Sequence, residues 1–260
     1  VFKTLAENNT FLNSVMLTVP CVLLQLVSCL LAGYGFAHFK FRGRSVLFAL
    51  LIFTIIVPVQ TYMIPLYGSF RNFDYFGIGS LIGLITGEPL TLDALKTRMP
   101  FYLMAGLGAG IRSGLYIFML RQFFMGMPKE LDEAASIDGC GPVQTFIRVM
   151  LPNAIPMMIT IMVFSLVWYW NETYLVRTYL GYGHTRAEGL TTLMIELQKF
   201  EDSYNVTFDA RASSVTSTNK LNDAIKMAGT MLSIAPLLLL YLVLQKQFVE
   251  SVDRAGITGE

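Results

Sequence analysis

Long apolar runs separated by short polar links set the pattern of this chain. A helix that spans a bilayer needs about 20 mostly apolar residues. Segments 11–37, 45–70, 101–124, 153–172 and 227–246 meet that requirement. The first two carry no formal charge, and the third is apolar except for Arg112 and Arg121. Pro20, Gly33 and Gly35 suggest bends in the first segment, Pro58 and Pro65 fall in the second, and Pro236 lies in the last. Neighbouring helices can satisfy the carbonyls that such prolines free. The pattern predicts an all-α membrane protein, a polytopic helical bundle with five spans in one domain over 1–260. Gly77–Gly87 (GIGSLIGLITG) is apolar but too short to span, and reads as a re-entrant or interfacial turn. Leu190, Leu193, Met194, Leu197 and Phe200 recur at helical spacing. That short amphipathic helix either packs on the protein's own spans or meets membrane or a partner. Tyr204–Lys220 is polar and reads as an exposed loop.

Composition agrees. Of 260 residues, 54% are hydrophobic and only 14% are charged, where a soluble domain carries about a quarter charged. A net charge of +1 suggests no nucleic-acid partner. Cys21 and Cys29 lie about 12 Å apart along one predicted helix, too far to bridge. Cys140 stands alone, and with only His38 and His184 available no metal spacing exists. His38 reads as an interface residue and His184 as a loop residue. The link between the first two spans holds Lys40, Arg42 and Arg44 and no acid, which places it in the cytoplasm. Loop 125–152 then falls inside as well. Five spans put the start of the chain outside. With Val1 preceded by no leader, the sequence reads as a fragment with a sixth span upstream.

Loop 125–152 is the polar island of the chain. Pro128 suits a first helical turn, and Glu130, Asp132 and Glu133 sit where a helix dipole favours negative charge. Gly139 is a natural stop. Gly141-Pro142 turns the chain into a second short helix, with Phe146, Val149 and Met150 on one face, ending at Leu151-Pro152. Leu131, Ala134, Ala135 and Asp138 share a face of the first helix, and the alanines leave it flat enough for close approach by another protein. An ordinary amphipathic loop helix explains the same spacing.

Glu133-Ala134-Ala135, Asp138-Gly139, Phe146 and Leu151-Pro152 stand where the EAA motif has them. The chain thereby resembles the membrane subunits of binding-protein-dependent ABC importers. Leu120-Arg121-Gln122-Phe123-Phe124 with Pro128-Lys129-Glu130-Leu131, Trp170-Asn171-Glu172, and the proline-broken run Pro58–Tyr67 resemble the carbohydrate, maltose-type branch. The links around Gly77–Met99 and Tyr182–Lys220 are longer than is usual there, and Cys140 stands where Ala is common. The resemblance implies the type I ABC importer transmembrane-domain fold in a bacterial cytoplasmic membrane. It also implies a second permease subunit, two ATPase subunits that bind ATP and Mg, and an extracellular solute-binding protein. The chain itself then holds no cofactor, and membrane lipid and a carbohydrate cargo complete its partners. It assigns Glu133, Ala134, Ala135, Asp138 and Gly139 to a coupling helix seated in an ATPase groove.

For the cargo pathway the residues leave alternatives open. Arg112 lies mid-span, where a charge marks a functional position. It faces the pathway, pairs with Glu172 or a partner's acid, or sits near an interface. Trp168, Tyr169, Trp170, Asn171 and Glu172 either form an interfacial aromatic belt or contact sugar, with rings stacking and the amide and carboxylate binding hydroxyls. Gln60 and Tyr62 can face the same pathway. Gly106, Gly110 and Gly114 recur every four residues and permit close helix contact. No nucleophile set, metal cluster or buried carboxylate pair marks an enzyme. Other cargoes, such as a polyol or glycerol phosphate, fit the same class. An ion-coupled secondary transporter calls for paired intramembrane acids and inverted repeats, and neither is visible.

Overall fold

The computed structural model describes residues 9–74, 77–86, 91–181, 190–198 and 223–257. Their regular structure is helical, apart from an isolated antiparallel bridge between Phe73 and Leu92. The helices are α1 Thr10–His38, α2 Arg44–Ile56, α3 Val59–Arg71, α4 Ile78–Thr86, α5 Met99–Gly106, α6 Ser113–Met125 and α7 Glu130–Ile137. They continue with α8 Pro142–Thr145, α9 Ile155–Asn171, α10 Tyr174–Leu180, α11 over 193–198 and α12 Asp223–Ile257. Between α8 and α9 the chain makes a π-helical turn, Phe146–Met150, and one α-turn, Leu151–Asn153.

Helix α1 is continuous through Pro20, Gly33 and Gly35. Gly33 is there for contact, because a Cβ on it would lie 2.6 Å from Leu120 Cβ. Two expectations are corrected by the helix bounds. Segment 101–124 is two helices, with Gly108 and Arg112 left-handed between them (φ 71° and 61°). Leu151-Pro152 does not end the second loop helix. The winding runs on to Asn153, and Pro142–Asn153 and Ile155–Asn171 meet at 73°. By length and composition α1 can cross a membrane alone. The pairs Arg44–Ile56 with Val59–Arg71 and Pro142–Asn153 with Ile155–Asn171 qualify only when taken together, each as a broken span or a re-entrant loop, and Met227–Val243 is a shorter apolar stretch within α12. The α2–α3 break follows from Pro58, which forces the preceding Val57 extended (ψ 121°).

The chain forms two compact units, 1–19 with 59–100 and 170–240, and 20–58 with 101–169 and 241–260. In the first, α10 lies on α3, with Phe70 and Tyr179 edge to face at 5.6 Å. Burial, with Tyr62 and then Glu172 nearby, pushes the Tyr179 phenol up to about 12. Leu193 of α11 is buried against Trp170, with Val15, Met194, Leu197 and Leu237 around them. That favours packing on the protein's own helices over an outer partner. Phe200, His184 and Tyr204–Lys220 lie outside the described residues.

The second unit is built on α1, α2, α6 and the loop after α6. Cys29, Leu30, Tyr34, Tyr116, Ile117, Leu120, Phe124, Met150, Ala154 and Ile161 form its core. Helix α6 lies on α2, and a Cβ on Gly114 would stand 2.7 Å from Thr54 Oγ1. Arg44 caps the end of α1, donating to the carbonyls of Ala37 and Phe39, each at 3.4 Å.

Candidate functional site

Helix α7 begins with Glu130, Asp132 and Glu133 in its first turn. It ends in a Schellman motif. Cys140 N–H donates to Ala135 O at 2.9 Å and Gly139 N–H to Ser136 O at 3.1 Å, with Gly139 left-handed at φ 75°. Gly141 then caps the next helix, and its N–H is met by Gln144 Oε1 at 3.3 Å. The left-handed backbone is what selects glycine at 139. Space does not, since nothing lies within 4 Å of where its Cβ would be.

The faces of α7 differ in part from the sequence expectation. Ala135 is buried and Leu131 packs toward the core, while Glu133, Ala134, Ser136, Asp138 and Gly139 are exposed. Ala135 therefore anchors the helix and does not extend a flat outer face with Ala134. The outer surface carries large apolar side chains that sequence reading missed: Ile137 is 86% exposed, Val143 70% and Ile147 55%. Ile137 carried a legible signal, since it stands between Ser136 and Asp138 where a solvated helix gains nothing from an aliphatic residue, whereas Val143 and Ile147 have Pro142 and Phe146 beside them.

Two contacts fasten the loop to α1. His38 Nδ1 lies 3.1 Å from Asp132 Oδ2. Tyr34 packs on Phe146 at 4.6 Å, His38 at 4.4 Å and Phe124 at 5.6 Å between ring centroids.

A second constellation surrounds the break between α5 and α6. It opens with the same Schellman geometry, Gly108 N–H to Ala105 O at 3.3 Å and Ala109 N–H to Met104 O at 2.8 Å. Fully buried Gln25 donates through Nε2 to Ile111 O at 2.7 Å and to Ser113 Oγ at 2.8 Å, while its Oε1 accepts from Ser165 at 3.0 Å. Ser28 Oγ donates to Ala105 O at 2.7 Å, and Tyr169 Oη accepts from Ile111 N–H at 3.3 Å. Buried side chains thus satisfy the backbone groups that the break leaves outside the helical pattern. The lone glutamine in a charge-free run was the legible sign of it. Gly106 and Gly110 sit at the break and do not continue a face with Gly114. A Cβ on Gly110 would collide with Tyr169, and one on Gly106 would meet nothing.

The pathway candidates fall in different surroundings. The Arg112 guanidinium stacks over the Trp168 ring, 4.4 Å from its centroid. Both side chains are exposed in this chain. Trp170 is buried, with Phe11 edge to face at 6.1 Å and its Nε1 donating to Ser233 O at 3.1 Å, in the turn loosened by Pro236. Glu172 Oε1 accepts from Leu175 N–H at 2.8 Å, capping the start of α10. Gln60, Tyr62 and Asn171 are exposed.

Among known proteins, the family described as the binding-protein-dependent transport system inner membrane component matches residues 26–254. The α-glucoside transport system permease protein AglG of Rhizobium meliloti is 30% identical over 70% of this chain, which spans 44% of that protein. The diacetylchitobiose uptake system permease protein DasC of Streptomyces coelicolor is 28% identical, with 99% of this chain and 80% of that protein covered. The arabinooligosaccharides transport system permease protein AraQ of Bacillus subtilis is 25% identical over 96% of this chain and 73% of its own length. These relatives are permease subunits of transporters, not enzymes. A crystal structure of a bacterial ABC transporter involved in the import of the acidic polysaccharide alginate shares the fold. Its TM-score is 0.68 at 23% identity, with 95% of this chain and 78% of that one covered.

Proposed function

The chain belongs to the family of binding-protein-dependent transport system inner membrane components, and from that membership we propose that it is a permease subunit of an ATP-driven carbohydrate importer. Cargoes of the relatives, α-glucosides, diacetylchitobiose and arabinooligosaccharides, support an oligosaccharide. In this reading the chain is a single multi-pass transmembrane domain of a bacterial cytoplasmic membrane. Its spans run over 11–37, 45–70, 101–124, 153–172 and 227–246, with breaks near Pro58 and Gly108, and loop 125–152 faces the cytoplasm. A second permease subunit, two ATPase subunits holding ATP and Mg, and an extracellular solute-binding protein complete the transporter.

The observation that carries the reading is the exposed, glycine-terminated acidic helix α7. A helix stopped at Gly139 cannot extend, so it keeps its length and direction when pushed. Its outer face presents Glu133, Ala134, Asp138 and Gly139 together with Ile137, an aliphatic side chain that gains from burial in a partner's groove. Ala135 holds it from beneath. Closure of the ATPase dimer then moves the loop and, through it, the spans. For the cargo, Arg112 with Trp168 forms one candidate contact, and Gln60, Tyr62 and Asn171 a separate one. Trp170 and Glu172 shape the end of α9 and do not offer free surfaces.

Gly139→Asp tests the coupling role. In the reconstituted transporter the complex stays assembled, while transport-linked ATP hydrolysis falls roughly ten-fold. Normal coupling refutes it. A thermal-shift screen against the cognate binding protein tests the cargo, and stabilisation by a polyol or glycerol phosphate in place of a sugar revises it. Purification without any ATPase subunit would return the ion-coupled alternative.

A further inference from the structure

We infer that the last turn of α1, through Tyr34 and His38, is the joint that carries movement of loop 125–152 into the spans. This rests on the coupling role proposed for α7. The loop is two helical pieces, α7 and the Pro142–Asn153 winding, separated by Gly139-Cys140-Gly141. That link is a weak lever, because the hydrogen bonds of its N–H groups each run to the piece next to them, Gly139 and Cys140 to α7 and Gly141 to Gln144. Force received on α7 therefore needs an attachment of its own.

Tyr34 and His38 are four residues apart, one above the other on the same face of α1. Each grips a different piece of the loop. His38 Nδ1 holds Asp132 of α7 at 3.1 Å, and the Tyr34 ring lies 4.6 Å from Phe146 in the π-helical turn. The two rings also stack on each other at 4.4 Å, and Phe124 at the end of α6 closes the cluster. His38 Nε2 is buried and has no hydrogen-bond partner among the described residues, so Asp132 is the ring's polar anchor. Asp132 in turn does not lie on the fully exposed side with Glu133 and Asp138. Its acidity serves the attachment inside the chain as well as the helix dipole. Both pieces of the loop thus report to one helical turn, and a shift of α7 reaches α1 without crossing the glycine link.

His38 and Asp132 are positioning residues, and the test separates positioning from mere stability. In the full transporter with its ATPase subunits and binding protein, His38→Leu lowers cargo uptake per ATP hydrolysed roughly ten-fold. The ATPase subunits remain bound. His38→Asn, which keeps a donor near the Nδ1 position, restores most of the ratio. In a double-mutant cycle Asp132→Ala adds little to His38→Leu, and fully multiplicative losses overturn the proposal. A tether gives a second readout should these variants assemble poorly. In a Cys140→Ser background, His38→Cys with Asp132→Cys joined by a short bifunctional thiol reagent retains uptake, because the two ends travel together. Loss of uptake on joining, reversed by reduction, shows that the loop must slide over α1 and overturns the inference. Gly139→Asp run beside them keeps the two ideas distinct. If it leaves coupling normal, the loop reading itself fails. If it uncouples while the His38 variants do not, only the joint fails.

Discussion

The chain interrupts its helices with the same device in two places, after α5 and after α7. In both, a left-handed glycine closes a Schellman motif, Gly108 in one and Gly139 in the other. The continuations differ. Beyond Gly108 the freed backbone groups are met from other helices, by Gln25 and Ser28 of α1 and Tyr169 of α9. Beyond Gly139 the repair is local, with Gly141 N–H meeting Gln144 three residues on. The difference teaches what burial does to a helix break. Where buried groups surround it, an unmet carbonyl or amide is expensive, so the break becomes a node tied to its neighbours. Where the break is exposed, a glycine and a local cap suffice, and α7 is held instead by its side chains, Asp132 on His38 and buried Ala135.

Gln25 is the strongest tie at the break after α5. Gln25→Leu preserves the apolar character of α1 but strands Ile111 O and the Ser165 hydroxyl, at a cost of about 3 kcal/mol. A fall in the thermal midpoint of the purified chain with loss of uptake is the expected result, and an unchanged midpoint would show that the break is not held from α1. The next test sets the glycines against each other. Alanine in a left-handed position costs roughly 1–2 kcal/mol. At Gly108 that appears as lost stability of the membrane domain, measured by thermal unfolding. At Gly139 the same change leaves the midpoint nearly constant and appears as weaker coupling of ATP hydrolysis to uptake. Equal effects on both readouts would erase the distinction. Smallest is Gln144→Ala, which removes a solvent-exposed cap worth about 0.5 kcal/mol. It lowers coupling slightly and stability not measurably.

Legibility followed the range of the physics. The α7 stop at Gly139 and the restart at Pro142 were readable because capping and proline chemistry act within a few residues. The run 101–124 reads as continuous in the sequence and is broken in the fold. Nothing in its hydropathy announces that Gly108 and Arg112 turn left-handed, since the groups that make this tolerable, Gln25 and Tyr169, lie far away in sequence. Trp170 was legible as an aromatic near a span end, but its burial against Leu193 and Phe11 was not. From sequence His38 reads as an interface residue, and only the fold supplies its partner, Asp132.

By itself the sequence determined the helical, membrane-directed character of the chain, its polar island, and the residues that start and stop α7. Those follow from hydrophobic periodicity and from local backbone preference. Tertiary structure decided which alanine of the Glu133-Ala134-Ala135 run faces inward, where segment 101–124 breaks, and that Tyr34 and His38 hold both pieces of the loop. Each of these depends on what a distant helix places within a few ångströms, and spacing along one chain carries no record of that.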